Sequence, residues 1–314
     1  MNHKEEVFMR SKLLAVLAAG LAAVSLRAAD VDMVIAVNGA ALNAHPQVMQ
    51  LREKFDREAK SSGGKSFAEQ LGALKLTEEM LENRLTAYIS LDTREGAVVI
   101  DTKEGKAPEL FEKLRDILNF RDGGTKTEVA GCPVYTGVTA DGSRGTILLK
   151  SPSQIQIQAG ESLPLPLNFG RISKNLMLEA KSGRLVNIAL VPTEEMLAAP
   201  DAMPQMKSLR MITLGLTDTK PEAAIVFEGL FKNDEAAMEV KGLVDVVLFG
   251  FEQNQALDNR FFRKIESNVA GGKLTYRRVV DDGLLEAILQ TVGGRFGRLP
   301  KAAGPAAVPE TQGE

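Results

Sequence analysis

Leu85-Thr86-Ala87-Tyr88-Ile89-Ser90-Leu91, the turn Asp92-Thr93-Arg94-Glu95-Gly96, and the return Ala97-Val98-Val99-Ile100-Asp101-Thr102 read as a β-hairpin. A second hairpin, Leu209 to Leu216 and Ala223 to Leu230 around Asp218-Thr219-Lys220-Pro221, lies 126 residues further on. At that offset Asp92-Thr93-Arg94 falls on Asp218-Thr219-Lys220, and Val98-Val99-Ile100 on Ala224-Ile225-Val226. The same offset carries the helical face Leu110, Phe111, Leu114, Ile117 and Leu118 onto Ala236, Ala237, Val240, Leu243 and Val244. An offset of 141 then matches Gly131 with Gly272, Tyr135 with Tyr276 and Val138 with Val279. Agreement of turn residues, helix face and the later tyrosine points to a duplicated unit.

Further strands are expected over Val31 to Val37, Pro133–Val138, Thr146–Lys150, Gln154–Ala159, Leu185 to Val191 and Lys273 to Val279. Gln154-Ile155-Gln156-Ile157-Gln158 alternates strictly, with one apolar face. Helices are expected from Pro46 to about Lys60, near Phe67–Leu71 and Thr77–Leu81, from Pro108, over Arg171 to Lys181, from Thr193, over Asp234 to Phe251, over Leu257 to Ser267, and over Leu284 to Val292. Each half then reads strand, helix, hairpin, helix, strand. The expected fold class is α+β: two duplicated ferredoxin-like β-α-β-β-α-β units with antiparallel sheets backed by helices. The units occupy 30–160 and 171–299, joined by a Pro-containing linker at 161–170 and followed by a disordered Ala/Pro/Gly tail at 300–314.

Residues 1–29 carry Arg10 and Lys12, a 14-residue apolar run from Leu13 to Leu26, and Ala28-Ala29. A spanning helix needs about 20 apolar residues. The pattern reads as a signal peptide, or as an N-terminal anchor if uncleaved, with Met9 an alternative start. The chain is then exported, to the periplasm or the cell exterior. Removing 1–29 takes four basic and two acidic residues from the totals of 38 and 41, leaving 34 against 39. That balance gives no electrostatic reason to bind nucleic acid.

Met33-Val34-Ile35-Ala36-Val37-Asn38 leading to Ala44-His45-Pro46, followed by Gly96-Ala97-Val98-Val99-Ile100-Asp101, resembles a broad group of exported bacterial proteins of unknown function with tandem ferredoxin-like units. The resemblance covers about residues 31–292 and implies no activity and no catalytic residue.

Chemistry-bearing residues are sparse. A single Cys132 excludes an intramolecular disulfide and Cys-rich metal sites. His45 is the one imidazole beyond the leader, and its place before Pro46 suits a surface or capping role. Ala59 to Ser66 fits a relaxed phosphate-binding loop, with Ser62 and Lys65 also in Ser-x-x-Lys spacing. It follows a helix where a true phosphate loop follows a strand, so it reads as an inter-helix loop. The acid pairs Glu78/Glu79, Glu194/Glu195 and Asp281/Asp282 sit at helix starts or turns, where the helix dipole explains them. With no Trp and only Tyr88, Tyr135 and Tyr276, platforms for sugars are scarce. Phe251, Phe261 and Phe262 with Leu257 read as packing between the last helices. No catalytic, cofactor-binding or metal residue is assigned, and no cofactor.

The expected function is therefore an exported non-enzymatic binding or scaffold protein of the cell envelope, with a sheet face or the seam between units as its surface. Its partner is an unknown envelope protein or small ligand. The membrane is involved only through an uncleaved N-terminal segment. A carboxylate-based hydrolase and a carrier of a small apolar ligand are the alternatives.

Overall fold

The computed structural model describes residues 30–287 except 62, 74–76, 92–95, 119, 122, 140–141, 143, 160–171, 199–203, 220–221 and 254–258. The leader, the linker at 161–170, the tail, Leu257, and the end of the last expected helix lie outside the described residues.

The first half runs β1 (Met33–Asn38), α1 (Gly39–Asn43), α2 (Pro46–Ser61), α3 (Phe67–Ala73), a 3-10 turn (Glu79–Glu82), β2 (Arg84–Ile89), β3 (Gly96–Asp101), α4 (Ala107–Leu118), β4 (Thr125–Val129), β5 (Cys132–Val138), β6 (Arg144–Ser151) and β7 (Gln154–Ala159). The second half runs α5 (Lys174–Ala180), β8 (Val186–Leu190), α6 (Glu194–Ala198), a 3-10 turn (Pro204–Ser208), β9 (Leu209–Asp218), β10 (Ala223–Phe231), α7 (Asp234–Gln253), a 3-10 turn (Asn259–Phe261), β11 (Glu266–Ala270) and β12 (Lys273–Val279). Residues 282–287 are helical.

The twelve strands among the described residues form one open antiparallel sheet in the order β11-β12-β10-β9-β8-β1-β2-β3-β7-β6-β5-β4. The α+β class holds, and the expected ferredoxin-like topology does not. A ferredoxin-like unit sets its first strand parallel to its second, with the third inserted antiparallel between them. Here β1 pairs antiparallel with β2 and with β8. The helical connection α1–α3 returns the chain to the neighbouring antiparallel position, so β1, β2 and β3 form a meander. There are also not two sheets, because Met33↔Leu190 through Val37↔Val186 pair β1 with β8 and fuse the halves.

β4 and β11, the two sheet edges, were not anticipated; part of β11 falls in the helix expected to Ser267. Their side chains are almost all exposed and polar, so no hydrophobic period marks them. The turns that follow them make them strands. Ala130 and Gly131, and Gly271 and Gly272, hold positive φ, which suits a tight two-residue hairpin. The 141 offset reproduces both hairpins pair for pair, from Thr125↔Thr136 and Glu266↔Arg277 to Val129↔Cys132 and Ala270↔Lys273.

The 126 offset fares differently. Directly paired residues share a sheet face, and a single row of such pairs crosses the sheet: Lys126, Tyr135, Ile147, Ile157, Val98, Ala87, Ile35, Ile188, Leu214, Phe227, Tyr276, Ser267. Val98 lies in this row, whereas Ala224 is an odd number of residues from Phe227 and faces the other way. A one-residue slip reverses every side chain, so the hairpin residues superposed by that offset are not equivalent in space.

Helices on the face of this row include α4 and α7 and, over the ends of β9 and β10, α2 and residues 282–287, whose Leu51, Leu284 and Leu285 pack with Leu216, Ala223 and Ile225. α4 buries Ala107, Leu110, Phe111 and Leu114 against Val98, Ile100, Ile147 and Ile155. α7 buries Ala237 and Val240 against Phe231, Leu274 and Tyr276. The opposite face carries α5, whose Leu176 and Ala180 pack on Val34 and Ala189. Ser173 caps α5 by accepting from the Leu176 N–H at 3.1 Å.

Candidate functional site

The four central strands β2, β1, β8 and β9 have a face buried beneath α5 and an opposite face that the described residues cover only in part. On the α5 face Val34, Ala36, Thr86, Asn187, Ala189, Met211 and Thr213 are buried. The alternate positions carry Met33, Ile35 and Val37 on β1, Val186, Ile188 and Leu190 on β8, and Leu214 on β9, and none of these is buried. Leu214 is 44% exposed. None of the seven belongs to a core cluster among the described residues. Leu85 and Ala87 lean on the α4 cluster, and Ile212 on the α7 cluster. The result is an apolar strip at the seam of the two halves, walled by α4 and α7. Three inter-strand spacings of ~4.8 Å put β2 and β9 about 14 Å apart.

The covered face is fixed by a polar network that ties α5 to four strands. Arg184 donates to Glu228 Oε2 at 2.5 Å, to Asn187 Oδ1 at 3.0 Å and to Thr213 Oγ1 at 3.3 Å. Lys273 Nζ reaches Glu228 Oε1 at 2.6 Å. Asn187 donates to the Glu179 carboxylate at 2.8 Å and to its backbone carbonyl at 3.0 Å. Burial opposes the Glu228 charge, yet hydrogen bonds from Lys273 and Arg184 outweigh it and hold its pKa below the ordinary glutamate value. Glu228, Lys273, Thr213 and Glu179 help line a cleft of about 150 Å3 beside α5, where both Glu228 oxygens are already engaged.

The two walls of the strip differ. Tyr276 on β12 donates to Asp245 Oδ1 at 2.9 Å and to the Lys241 carbonyl at 3.2 Å, which turns that flank of α7 toward the sheet edge. On a 3.6-residue period the opposite flank carries Leu243 and Val247, while Val246 points away from the sheet. Val246 is 71% and Val247 51% exposed. Sequence periodicity expected Leu243 on one face with Val240 and Val244, and Phe251 in packing between the last helices; both are exposed, as is Val247, because α7 is apolar around most of its circumference and the sheet reaches only part of it. At the other wall, Tyr135 on β5 donates to Glu112 of α4 at 2.6 Å, again facing a helix flank to the edge. The flank of α4 toward the strip is charged: Lys106–Glu79 at 3.2 Å, Lys113–Glu109 at 2.6 Å and, beside them, Lys103–Glu82 at 2.8 Å.

One end of the strip is closed by α1 and α2. An added Cβ on Gly39 would lie 2.0 Å from the Leu81 carbonyl oxygen, so only glycine admits this approach of α1 to the Glu79–Glu82 turn. His45 is buried against expectation, and its capping role stands: Nδ1 accepts from the Gln47 N–H at 3.3 Å, while Nε2 lies 3.7 Å from Asp218 Oδ1 on β9. Gln47 bridges to the second half, accepting from Ala223 N–H at 2.8 Å and donating to the Val280 carbonyl.

The remaining sequence candidates are scattered. In the Ala59–Ser66 loop the Gly64 N–H donates to the Ala59 carbonyl at 2.7 Å, closing the end of α2, and Ser66 with Glu69 forms a reciprocal cap for α3. Those amides serve helix ends; Ser62 lies outside the described residues, and Lys65 is exposed. Glu78 pairs with Arg52, Glu194 and Glu195 are exposed at the start of α6, and Asp281 caps the 282–287 turn while pairing with Arg278 at 3.1 Å and Lys264 at 3.0 Å. The Leu284 N–H, with both cations, holds the Asp281 pKa down. Among the described residues, the carboxylates with altered pKa are all lowered, opposite to a general acid. Phe251 and Phe262 meet as a tilted pair with ring centres 5.2 Å apart, and Phe261 leans on Leu284 and Ala223. Cys132 is a free thiol near the β4–β5 turn. The strip itself could have been found in the sequence: the alternation of Met33, Ile35 and Val37 with Val34 and Ala36 shows a strand apolar on both faces, with helices too few to cover both.

Among the described residues no group of three His, Cys, Asp or Glu could hold a metal, and no helix is long and apolar enough to cross a membrane. No protein-family model and no curated protein matches the chain. Crystal forms I and III of TP0453 from Treponema pallidum align with 13% identity over 85% of this chain and 98% and 99% of theirs, with TM-scores of 0.43 and 0.46. Crystal form IV aligns at 12% over 88% and 99%, with a TM-score of 0.43. The chain is similar to TP0453 in outline, a likeness too loose to carry a function across.

Proposed function

We propose that the chain is an exported, non-enzymatic binding protein of the cell envelope, and that its binding surface is the face of β2, β1, β8 and β9 opposite α5. One observation carries this reading: at the seam, residues facing α5 are buried while the intervening Ile35, Ile188 and Leu214 are not. Ile35 and Ile188 are half-buried and Leu214 is 44% exposed, and apolar side chains left accessible side by side mark interaction sites. Export rests on the basic and apolar leader at residues 10–29. The matching registers of β4–β5 and β11–β12 further support a duplication, with the surface lying where the two copies join.

The test is titration of the full chain with the apolar dye bis-ANS. Saturable fluorescence is expected, reduced at least ~10-fold in apparent affinity by Leu214→Asp. Equal binding by that variant would refute the surface, and turnover of an envelope substrate by the purified chain would refute the non-enzymatic reading.

A further inference from the structure

We infer that the occupant of the strip is a single amphipathic α-helix supplied by a partner protein; this rests on the binding surface proposed above and specifies its ligand. The dimensions select one helix. The floor is about 14 Å wide and, over the six residues of β1 (Met33–Asn38) at ~3.4 Å each, about 20 Å long. A helix with side chains is about 10–12 Å wide, and 14 residues of it run about 21 Å. Two would not lie side by side.

The walls select an amphipathic helix. Leu243 and Val247 on α7 continue the apolar floor of Ile35, Ile188 and Leu214, whereas α4 presents Lys106–Glu79 and Lys113–Glu109. A wholly apolar ligand would set hydrocarbon against those charges, which is costly for any group it desolvates. An amphipathic helix lays its apolar side on floor and α7, and turns its polar side to α4 and water. Balanced signs on the α4 wall favour a polar side carrying both Glu and Lys. A second copy of this chain is a poor occupant. Packed sheets sit about 10 Å apart, the thickness that α4 and α7 already fill.

The experiment uses the full chain and a fluorescent 14-residue peptide with Leu along one helical face and Glu/Lys pairs along the other. Its control has the same composition with the leucines scattered. Anisotropy should show micromolar binding of the first peptide and at least ~10-fold weaker binding of the second. Leu214→Asp and Val247→Asp should each weaken the first at least ~10-fold while leaving the melting temperature within a few degrees. Equal binding of both peptides, or wild-type affinity in both variants, overturns the inference. If the peptide fails while bis-ANS binding remains Leu214-dependent, the helix inference falls and the surface stands; if both fail, both fall. A dimer seen by sedimentation and abolished by Leu214→Asp would put a second copy in the strip and overturn the helix.

Discussion

Leu214→Thr should be nearly silent in stability, and the structure says by how much. A fully buried leucine contributes about 1.5–3 kcal/mol by leaving water. Leu214 is 44% exposed, so it buries only a little more than half of its side chain. The substitution should forfeit about 1 kcal/mol of that, partly returned by the good strand preference of threonine. Leu274, on β12 beneath α7, is the comparison, since it is 1% exposed and sits inside a core cluster. Leu274→Ala should cost about 3 kcal/mol, transfer plus cavity. Urea midpoints at pH 7 measure both, provided the m-value is unchanged. A loss for Leu214→Thr as large as that for Leu274→Ala would mean that the strip is packed in the native state, and the binding-surface account would fail.

Gly39→Ala forces the Leu81 and Asn83 carbonyls away from α1 and should lower stability by about 2–3 kcal/mol in thermal melts, with Gly72→Ala, where an added Cβ meets open space, as the neutral control. Gln156 is buried with neither amide atom hydrogen-bonded, so Gln156→Met should raise stability by about 1–2 kcal/mol, read as a higher melting temperature; a drop would reveal a partner for the amide. Glu228 has a folded pKa below the ordinary ~4.3, so its contribution is present above that value and is lost as the pH falls through the folded pKa. Glu228→Gln should therefore destabilise at pH 7 by on the order of 3 kcal/mol and flatten the acid limb of the stability profile; an unchanged limb would contradict the role given to Arg184 and Lys273.

Periodicity located most strands and helices, because Val98, Ile100, Leu110, Phe111 and Leu114 do face one core. It could not give topology. The order strand–helix–hairpin–helix–strand fits both a ferredoxin-like crossover and the meander found here, and only the return path of α1–α3 decides. Face assignment failed at the hairpins, where an apolar run such as Ala97 to Ile100 is compatible with either orientation and shifting it by one residue reverses it. β4 and β11 were invisible because edge strands carry polar side chains on both faces, with the signal displaced into Gly131 and Gly272. The candidate site was half legible. A sheet face or the seam could be named from the duplication, but which side α5 covers depends on how Glu179, Arg184 and Asn187, neighbours in sequence, meet Glu228, which lies 44 residues beyond Arg184. The outward apolar flank of α7 was assigned to the core for the same reason: helical spacing shows that a helix has an apolar side and does not say how much of it a neighbour reaches.

Maleimide labelling of single cysteines in a Cys132→Ser background compares neighbours on the two faces directly. The account predicts that Leu214→Cys and Ile188→Cys react rapidly in the folded protein, while Thr213→Cys and Ala189→Cys, one residue away and turned toward α5, are protected until it unfolds. Equal protection at all four positions would show the seam covered on both sides and contradict the claim that it is the binding surface.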